Sequence, residues 1–171
     1  MRRLSDLELI RRCFAPLARD LPGAFGLSDD AAVLAPPRFQ QLVVSTDGLV
    51  EGVHFRAGET PGALARRLLR VNLSDLAAMG ARPYAYMLNL VLPPGAGLTW
   101  LKGFAAGLAR DQKTYGLTLA GGDTDVARGR LSISATIFGL ARGGRVLRRD
   151  AARPGDDLYV SGTIGDAGLG R

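Results

Sequence analysis

The stretch TPGALARRLLRVNLSDLAAMGARPYAYMLNLVLPP, residues 60–94, contains a helix and a strand joined by a short turn. Thr60 and Pro61 are typical of an N-cap and a first helical residue, and Gly80 is typical of a helix end. The apolar-rich residues 84–92 then predict a β-strand, which is closed by two prolines. A helix followed directly by a strand predicts an architecture of packed helices and sheet.

The elements on either side are predicted from the same signals. Ser5 and Glu8 form a capping-box pattern that begins a helix over residues 5–20, and Pro16 is expected to bend it. A second long helix is expected to begin with Thr99 as its N-cap. Other stretches have the composition of strands, and the first two of them are expected to form a hairpin. These stretches are residues 31–35, 41–46, 116–120, 131–140 and 157–162.

This order of elements predicts an α/β fold, described more closely as an α+β sandwich. We expect a mixed sheet with helices packed on one of its faces. The sequence shows no internal repeat and no low-complexity linker. The glycine-rich residues 162–170 are typical of a junction between domains.

Composition places the chain among globular proteins. Its 171 residues are 47% hydrophobic and 22% charged, and no apolar run approaches the ~20 residues that a membrane-spanning helix needs. The N-terminal residues lack the continuous apolar core of a signal peptide. Cys13 is the single cysteine, so no internal disulfide is possible, and a reducing, cytoplasmic location fits.

The chain is basic, with a net charge of +6 and a pI of about 10.2. Lys102 and Lys113 are its only lysines, so almost all of the positive charge is arginine. A general preference for arginine explains this better than attraction of an anionic ligand does. Nucleic-acid binding is a minor option, because the sequence shows neither interleaved aromatic residues nor a groove-reading motif.

Acidic residues recur where apolar runs begin or end, and a carboxylate there is costly unless a positive group meets it. Asp29-Asp30 precede one predicted strand, whereas Asp47 and Gly121-Gly122-Asp123 follow two others. Converging carboxylates would suit Mg²⁺, which takes oxygen ligands and holds substrate phosphates. A zinc site of nitrogen and sulfur ligands is excluded, since the chain has one histidine and one cysteine. Each acid also fits an ordinary turn.

Asp75 is the clearest of these acids. Leu64, Leu68, Val71 and Asp75 fall on one helix face, so the carboxylate extends an apolar stripe towards the sheet. The structural alternative is a helix-end acid that reaches solvent or bonds to a hydroxyl group. His54 is the only histidine, and a lone histidine is more often structural than functional.

Two common nucleotide-binding motifs are absent. The sequence contains no GxxxxGK[ST], and the glycine-rich GTIGDAGLG lacks the GxGxxG spacing. Any nucleotide would therefore be held through metal ions, backbone groups and arginine.

Taken together, five stretches resemble thiamine-monophosphate kinase, a family of the aminoimidazole ribonucleotide synthetase-like superfamily of ATP-using enzymes. They are GLSDDAAVL, STDGLVEGVHF, VNLSDLAAMGARP, LAGGDT and RPGDDLYVSGTIGDAG. They occur in that family's order and cover essentially the whole chain, but only the N-terminal half of a family member. Relatives that make selenophosphate or mature hydrogenases lack the VEGVHF run.

The resemblance implies the fold of a PurM-like N-terminal domain and Mg²⁺-dependent transfer of the ATP γ-phosphoryl group to thiamine monophosphate, a phosphate acceptor. It implies that residues 1–154 form a domain that binds ATP and magnesium, and that residues 155–171 begin a second domain. It also implies a cytoplasmic homodimer, with N-terminal sheets paired and ATP near that seam. ATP and thiamine monophosphate would be its small-molecule partners, and no membrane is involved.

The same resemblance implies particular site residues. The ligands of several Mg²⁺ ions would be Asp30, Ser45, Thr46, Asp47, Asp75 and Asp123. ATP would be contacted by Tyr115, Gly122, Asp123 and Arg149, with Tyr115 beside the adenosine. His54 would approach the substrate phosphate. No covalent nucleophile is needed, because phosphoryl transfer depends on positioning and on charge neutralisation.

The chain departs from the family pattern at several points. Ser28 stands where glycine is usual, Asp125 replaces a common threonine, and the turn to Leu131 is slightly longer than usual. The family's second half supplies further metal ligands and the pocket for the thiamine rings, so we expect weak or absent kinase activity from this chain alone. Two alternatives stay open: another ATP-dependent enzyme of the superfamily, and a non-catalytic module for ATP binding or dimerisation.

Overall fold

A computed structural model describes residues 6–160 and 162–165 of the chain. The strands are β1 (Gln40–Val50), β2 (Arg82–Leu92), β3 (Thr118–Val126) and β4 (Ser132–Arg142). The α-helices are α1 (Asp6–Leu9), α2 (Pro61–Ala78) and α3 (Leu98–Tyr115). None of the helices in this described part is long and apolar enough to cross a membrane.

The four strands form one mixed sheet in the order β1-β4-β2-β3. β4 pairs antiparallel with both β1 and β2, whereas β2 and β3 are parallel. A parallel pair needs a long connection, and α3 provides it. The mixed sheet confirms the predicted α+β fold. Its order also places β1 and β3 at opposite edges, although both carry predicted site residues.

Helices α2 and α3 pack together and cover one face of the sheet, which we call the helix face. Leucines of α2 recur at helical spacing, and Leu64, Leu68 and Leu76 are almost completely buried. Alternate residues of β4, among them Ile133 and Ile137, meet them from the sheet. Burying each such side chain contributes about 1.5–3 kcal/mol relative to leaving it exposed, so this interface is the main core.

The opposite face of the sheet is only partly covered. A small cluster packs Ala18 and Ala24, from the N-terminal segment, against Ala85 and Ala120 of the sheet. Farther along the strands, Val44 is 55% exposed and Met87 is 39% exposed. We call this uncovered region the open face; in strand register it includes Val44, Thr46, Met87, Asn89, Ser134 and Thr136.

The N-terminal helix is helical but not uniformly α-helical. After α1, a π-helical turn spans Ile10–Phe14 and a 3₁₀ turn spans Ala15–Ala18. Pro16 lies at the start of the 3₁₀ turn, which agrees with the predicted bend. Ser5, the first residue of the predicted capping box, lies outside the described residues. Cys13 is buried here, and burial is the main reason that the pKa of its thiol is raised.

The predicted hairpin is wrong. Residues 32–36 have no regular structure, because the Val33 N–H donates to the carbonyl oxygen of Gly23 (2.8 Å) instead of pairing with β1. β1 pairs with β4, which comes about 90 residues later. The predicted last strand is also wrong over residues 157–160, which are irregular and exposed; Ser161 lies outside the described part.

The second long helix, α3, begins two residues earlier than expected. Gly97 is its N-cap, with an extended backbone and no capping side chain, so the prediction of Thr99 as N-cap is wrong. α2 begins and ends close to the prediction, after Thr60 and before Gly80. The strands β1 and β3 run farther than expected, and Asp47 and Asp123 therefore lie within strands.

An acidic residue that the sequence analysis missed lies in the interface of α2 and α3. Asp111 is completely buried, and the guanidinium of Arg70 donates two hydrogen bonds to its carboxylate, at 2.8 and 3.0 Å. These bonds raise the pKa of Arg70. The signal was present in the sequence, because Phe104, Leu108 and Asp111 share one helix face.

Candidate functional site

Ser45 and Asp75 are the two predicted ligands that the structure brings into contact. The Ser45 hydroxyl on β1 donates a hydrogen bond of 2.6 Å to Oδ2 of Asp75 on α2. Asp75 is exposed, so it has both features of the structural alternative: it reaches solvent and it bonds to a hydroxyl. Its Oδ1 has no donor in the described part of the chain, which leaves one oxygen open to a cation.

Asp47 lies on the same side of β1 as Ser45, two residues farther along the strand. It pairs in register with Ala135, which belongs to the core below the helices. Its Oδ1 accepts the N–H of Gly48 at 2.7 Å, and its side chain is otherwise exposed. Asp47, Ser45 and Asp75 therefore form one group of oxygen atoms between β1 and α2.

The side chain of Thr46 does not join this group. Its hydroxyl donates to the carbonyl oxygen of Ala135 (3.1 Å) and accepts from the hydroxyl of Thr136 (3.3 Å). Because successive residues of a strand point to opposite faces, Thr46 belongs to the open face. What Thr46 can still offer beside Asp47 is its main-chain carbonyl oxygen.

Asp123 lies at the far edge of the sheet from Asp47. Gly48 pairs with Ser134, Ser134 with Asn89, and Asn89 with Asp123, so these four residues form one row across the sheet. Three strand spacings separate its two ends, roughly 14 Å at about 4.8 Å a step. The row lies on the open face, whereas Asp47 and Asp75 lie on the helix face.

Asp30 lies in an exposed turn that packs beside the small cluster, between Leu27 and Ala32. Its N–H donates to Oδ1 of Asp29 at 2.9 Å. Within the described residues, no three Asp, Glu, His or Cys side chains lie close enough together to hold one metal ion. The predicted ligands thus occupy three places on one chain rather than one.

The acidic groups nevertheless offer the type of ligand atom, oxygen, that Mg²⁺ prefers. Asp30, Asp47, Asp75 and Asp123 make no ion pair of 4.0 Å or less with any arginine or lysine in the described part. Exposed carboxylates without a protein cation, together with a hydroxyl, match the oxygen ligands that Mg²⁺ prefers. There are too few of them for one ion, because the described part of the chain offers only two carboxylates, Asp47 and Asp75, in one place.

Gly122 is required by the strand pairing itself. It has φ +153° and pairs with Leu88 in the parallel ladder of β2 and β3. A Cβ at this position would overlap the Leu88 carbonyl oxygen and lie 2.8 Å from its carbon. The close approach of Gly122 is thus to a neighbouring strand, and its role at a phosphate stays a prediction.

The side chain of His54 accepts a hydrogen bond from the main chain at the end of β1. The N–H of Val50 donates to Nδ1 of His54 at 3.0 Å, so the neutral ring carries its proton on Nε2. On α2, Arg67 donates to the His54 carbonyl oxygen (3.3 Å) and pairs with Glu59 (2.9 Å). The ring is exposed, and its Nε2–H is available as a donor. Sequence analysis did not identify Arg67 or Glu59.

The two remaining predicted ATP contacts lie elsewhere. Tyr115 is 40% exposed at the C-terminal end of α3. Arg149 is exposed, and its segment is tied to the end of α2 by the hydrogen bond from the Leu147 N–H to the Met79 carbonyl oxygen (3.0 Å). Neither side chain has a hydrogen bond to the predicted metal ligands.

The family described as AIR synthase related protein, N-terminal domain, matches residues 28–141. The chain belongs to this family. The matched region begins just before Asp29-Asp30 and ends one residue before the end of β4, so it contains both long helices and all but the last residue of the sheet.

Relatives of this AIR synthase related chain carry a more specific name. It is 46% identical to the thiamine-monophosphate kinase of Caulobacter vibrioides over 97% of its length, which is 47% of that protein. It is also 46% identical to the enzyme of that name from Escherichia coli K12, over 96% of this chain and 50% of that protein. The resemblance to thiamine-monophosphate kinase is confirmed. The chain spans about half the length of the curated relatives it matches.

Solved structures support the same relationship for this AIR synthase related domain. The thiamine-monophosphate kinase of Stenotrophomonas maltophilia K279a is 45% identical, with a TM-score of 0.76 over 83% of this chain and 44% of that chain. A structure described as AaThiL complexed with AMPPCP and TMP is 32% identical, with a TM-score of 0.72 over 86% of this chain and 52% of that chain. The hydrogenase maturation protein HypE in complex with ATP is 26% identical, with the same TM-score.

Proposed function

We propose that this chain is the N-terminal, ATP-binding half of a thiamine-monophosphate kinase, a cytoplasmic enzyme that transfers the γ-phosphoryl group of ATP to thiamine monophosphate. The observation that carries the proposal is the 46% identity to enzymes of that name over 97% of the chain. A related structure described as a complex with AMPPCP and TMP supports both substrates. The products are thiamine diphosphate and ADP.

Asp47 and Asp75 are the residues of one chain that would hold Mg²⁺ between β1 and α2. The hydrogen bond from Ser45 fixes Oδ2 of Asp75, and Oδ1 has no hydrogen-bond donor among the described residues. Magnesium, when bound there, supplies charge neutralisation for phosphate groups. His54 offers its Nε2–H to the phosphate of the acceptor, and no side chain of the group acts as a covalent nucleophile.

A first test measures the binding of ATP by calorimetry, with and without Mg²⁺. We expect Asp75→Asn and Asp47→Asn each to weaken Mg²⁺-dependent binding by at least about tenfold, because each removes a charged oxygen ligand. Asp20→Asn, at an exposed acid outside the site, serves as the matched control and should bind like the unmodified chain. Unchanged binding in both site variants would show that these acids are structural.

The same titration separates the proposal from a non-catalytic ATP-binding module. Thiamine monophosphate added to the Mg²⁺–ATP-analogue complex should give a further, saturable heat, whereas thiamine without its phosphate should give little. Binding of ATP with no response to thiamine monophosphate, both in this chain and in a protein that also carries the family's second half, would favour the module.

We also propose that the working form is a homodimer built through the open face. β1 and β3 are the two edge strands of the sheet. The side chain of Asp123 on β3 lies on the open face, whereas that of Asp47 on β1 lies on the helix face, so one chain does not bring both to one ion. A two-fold axis parallel to the strands would set β3 of one copy over β1 of the other. Half-exposed apolar side chains, Val44 and Met87, give this face the character of an interface.

Sedimentation equilibrium tests the dimer. We expect Val44→Glu to weaken self-association by at least about tenfold, because symmetry places the new charge in the interface twice. Val126→Glu is the matched control, since Val126 is similarly exposed (57%) but pairs in register with Leu92 of the core. A monomeric unmodified chain, or an unaffected Val44→Glu variant, would contradict the proposed interface.

A further inference from the structure

The turn between β3 and β4 is fastened to the loop that carries His54. The Glu51 N–H donates to the Leu131 carbonyl oxygen at 2.9 Å, and the Leu131 N–H donates to Oε2 of Glu51 at 3.2 Å. These two bonds fix the position of the turn beside residues 51–54. The turn over residues 127–130 therefore belongs structurally to the surroundings of His54.

Arg130 lies directly against this loop. Its guanidinium Nη1 and Cζ are 3.2 and 3.4 Å from the point that a Cβ of Gly52 would occupy. Gly52 has φ +77°, a conformation that favours glycine. A Cβ at Gly52 would require the guanidinium to shift by a few tenths of an ångström, so Arg130 packs against the loop in close contact with this glycine.

The charge of Arg130 is not neutralised. Among the described residues it forms no ion pair of 4.0 Å or less, although two glutamates lie in or next to the loop. Glu51 uses its carboxylate on the Leu131 N–H, and Glu59 is paired with Arg67. The exposed surface of the loop thus combines the guanidinium of Arg130 with the Nε2–H of His54. Arg56, two residues after His54, is also exposed and forms no ion pair among the described residues.

We propose that Arg130 is a second phosphate-binding residue, which acts with His54 on the phosphate of the acceptor substrate. The proposal rests on the proposed function for the identity of the acceptor, but not for the presence of an anion site. A guanidinium binds two phosphate oxygens at once, and a neutral imidazole N–H can donate to a third.

The test uses His54 as its own reporter, because the chain has a single histidine. Imidazole ¹H and ¹⁵N signals are followed by NMR while inorganic phosphate, thiamine monophosphate or thiamine is added to the whole chain. We expect both phosphates, but not thiamine, to shift the signals saturably. Arg130→Gln should weaken phosphate binding about tenfold, the usual scale of a charge-assisted contact.

Arg128→Gln is the matched control, because Arg128 is an exposed arginine of the same turn whose guanidinium does not lie against Gly52. It should bind both phosphates like the unmodified chain. Arg130→Lys keeps the charge without the two-pronged geometry and should fall between the two. Equal affinities of the unmodified chain and Arg130→Gln would overturn the assignment of Arg130 and leave the proposed function standing.

A wrong acceptor can be distinguished from a wrong assignment of Arg130. If inorganic phosphate binds through Arg130 but thiamine monophosphate binds no better than thiamine, the anion site stands and the proposed acceptor is wrong. If neither phosphate moves the His54 signals, the inference about Arg130 is overturned.

Discussion

Replacing Gly122 with alanine is expected to destabilise the chain by about 3 kcal/mol or more. The added Cβ would overlap the Leu88 carbonyl oxygen on the neighbouring strand. At φ +153° the residue is also in a conformation that side chains rarely adopt. Backbone strain of this kind costs roughly 1–3 kcal/mol, and overpacking adds a similar amount.

Gly121→Ala is the matched control for this prediction. A Cβ at Gly121 would meet only the end of the Met87 side chain, at 3.7 Å. We expect a change within about 0.5–1 kcal/mol, of either sign, since Gly→Ala also stiffens the unfolded chain. Urea unfolding followed by circular dichroism measures both variants. Similar midpoints for the two would show that β2 and β3 can separate at Gly122 without loss.

The second large effect is expected at the buried acid. Arg70→Met should destabilise the chain by about 2–3 kcal/mol, because it leaves the completely buried carboxylate of Asp111 without a partner. Breaking a fully buried pair costs roughly 3–5 kcal/mol. Arg70 is 52% exposed, so water already weakens this pair and the lower figure applies.

Two further variants separate the unpaired acid from a general loss of charge. Arg66→Met, on a partly exposed arginine of the same helix that forms no ion pair among the described residues, should change the unfolding midpoint little. The double variant Arg70→Met/Asp111→Ala should recover most of the stability that Arg70→Met loses, because no charge is then left buried. If the double variant is the less stable one, the ion pair contributes beyond the cost of leaving Asp111 unpaired.

Local signals in the sequence predicted much of the fold. α2 was placed within a residue or two by Pro61 and Gly80, because first-turn proline and helix-ending glycine act through their own backbone geometry. The strand predicted over residues 84–92 is most of β2. These elements are determined by short-range patterns, and a single sequence contains such patterns directly.

The errors arose where distant parts of the chain decide the outcome. Residues 31–35 have the composition of a strand, but Val33 bonds to Gly23 and no sheet edge is left for it. β1 and β3 extend past Asp47 and Gly122 because their partners β4 and β2 continue beside them. Strand ends depend on pairing, and pairing is not visible in local composition.

The sequence predicted the candidate site only in part, again because pairing between distant strands is not visible in local composition. The helical spacing of Leu68 and Asp75 correctly directed the acid towards the sheet, where it meets Ser45. The separation of Asp47 from Asp123 follows from the strand order, and no local pattern reveals that order. Arg130 was not identified because its importance comes from contact with Gly52, 78 positions away in the chain.

The strand order has a consequence for how the chain acquires its structure during synthesis. β4 fills the gap between β1 and β2, yet it is the last of the four strands to leave the ribosome. Until then β1 has no strand to pair with, and one edge of β2 carries unpaired main-chain groups. Nascent chains that end before about residue 142 therefore expose unpaired main-chain groups on β1 and β2. We expect aggregation during synthesis to be most frequent before β4 is complete.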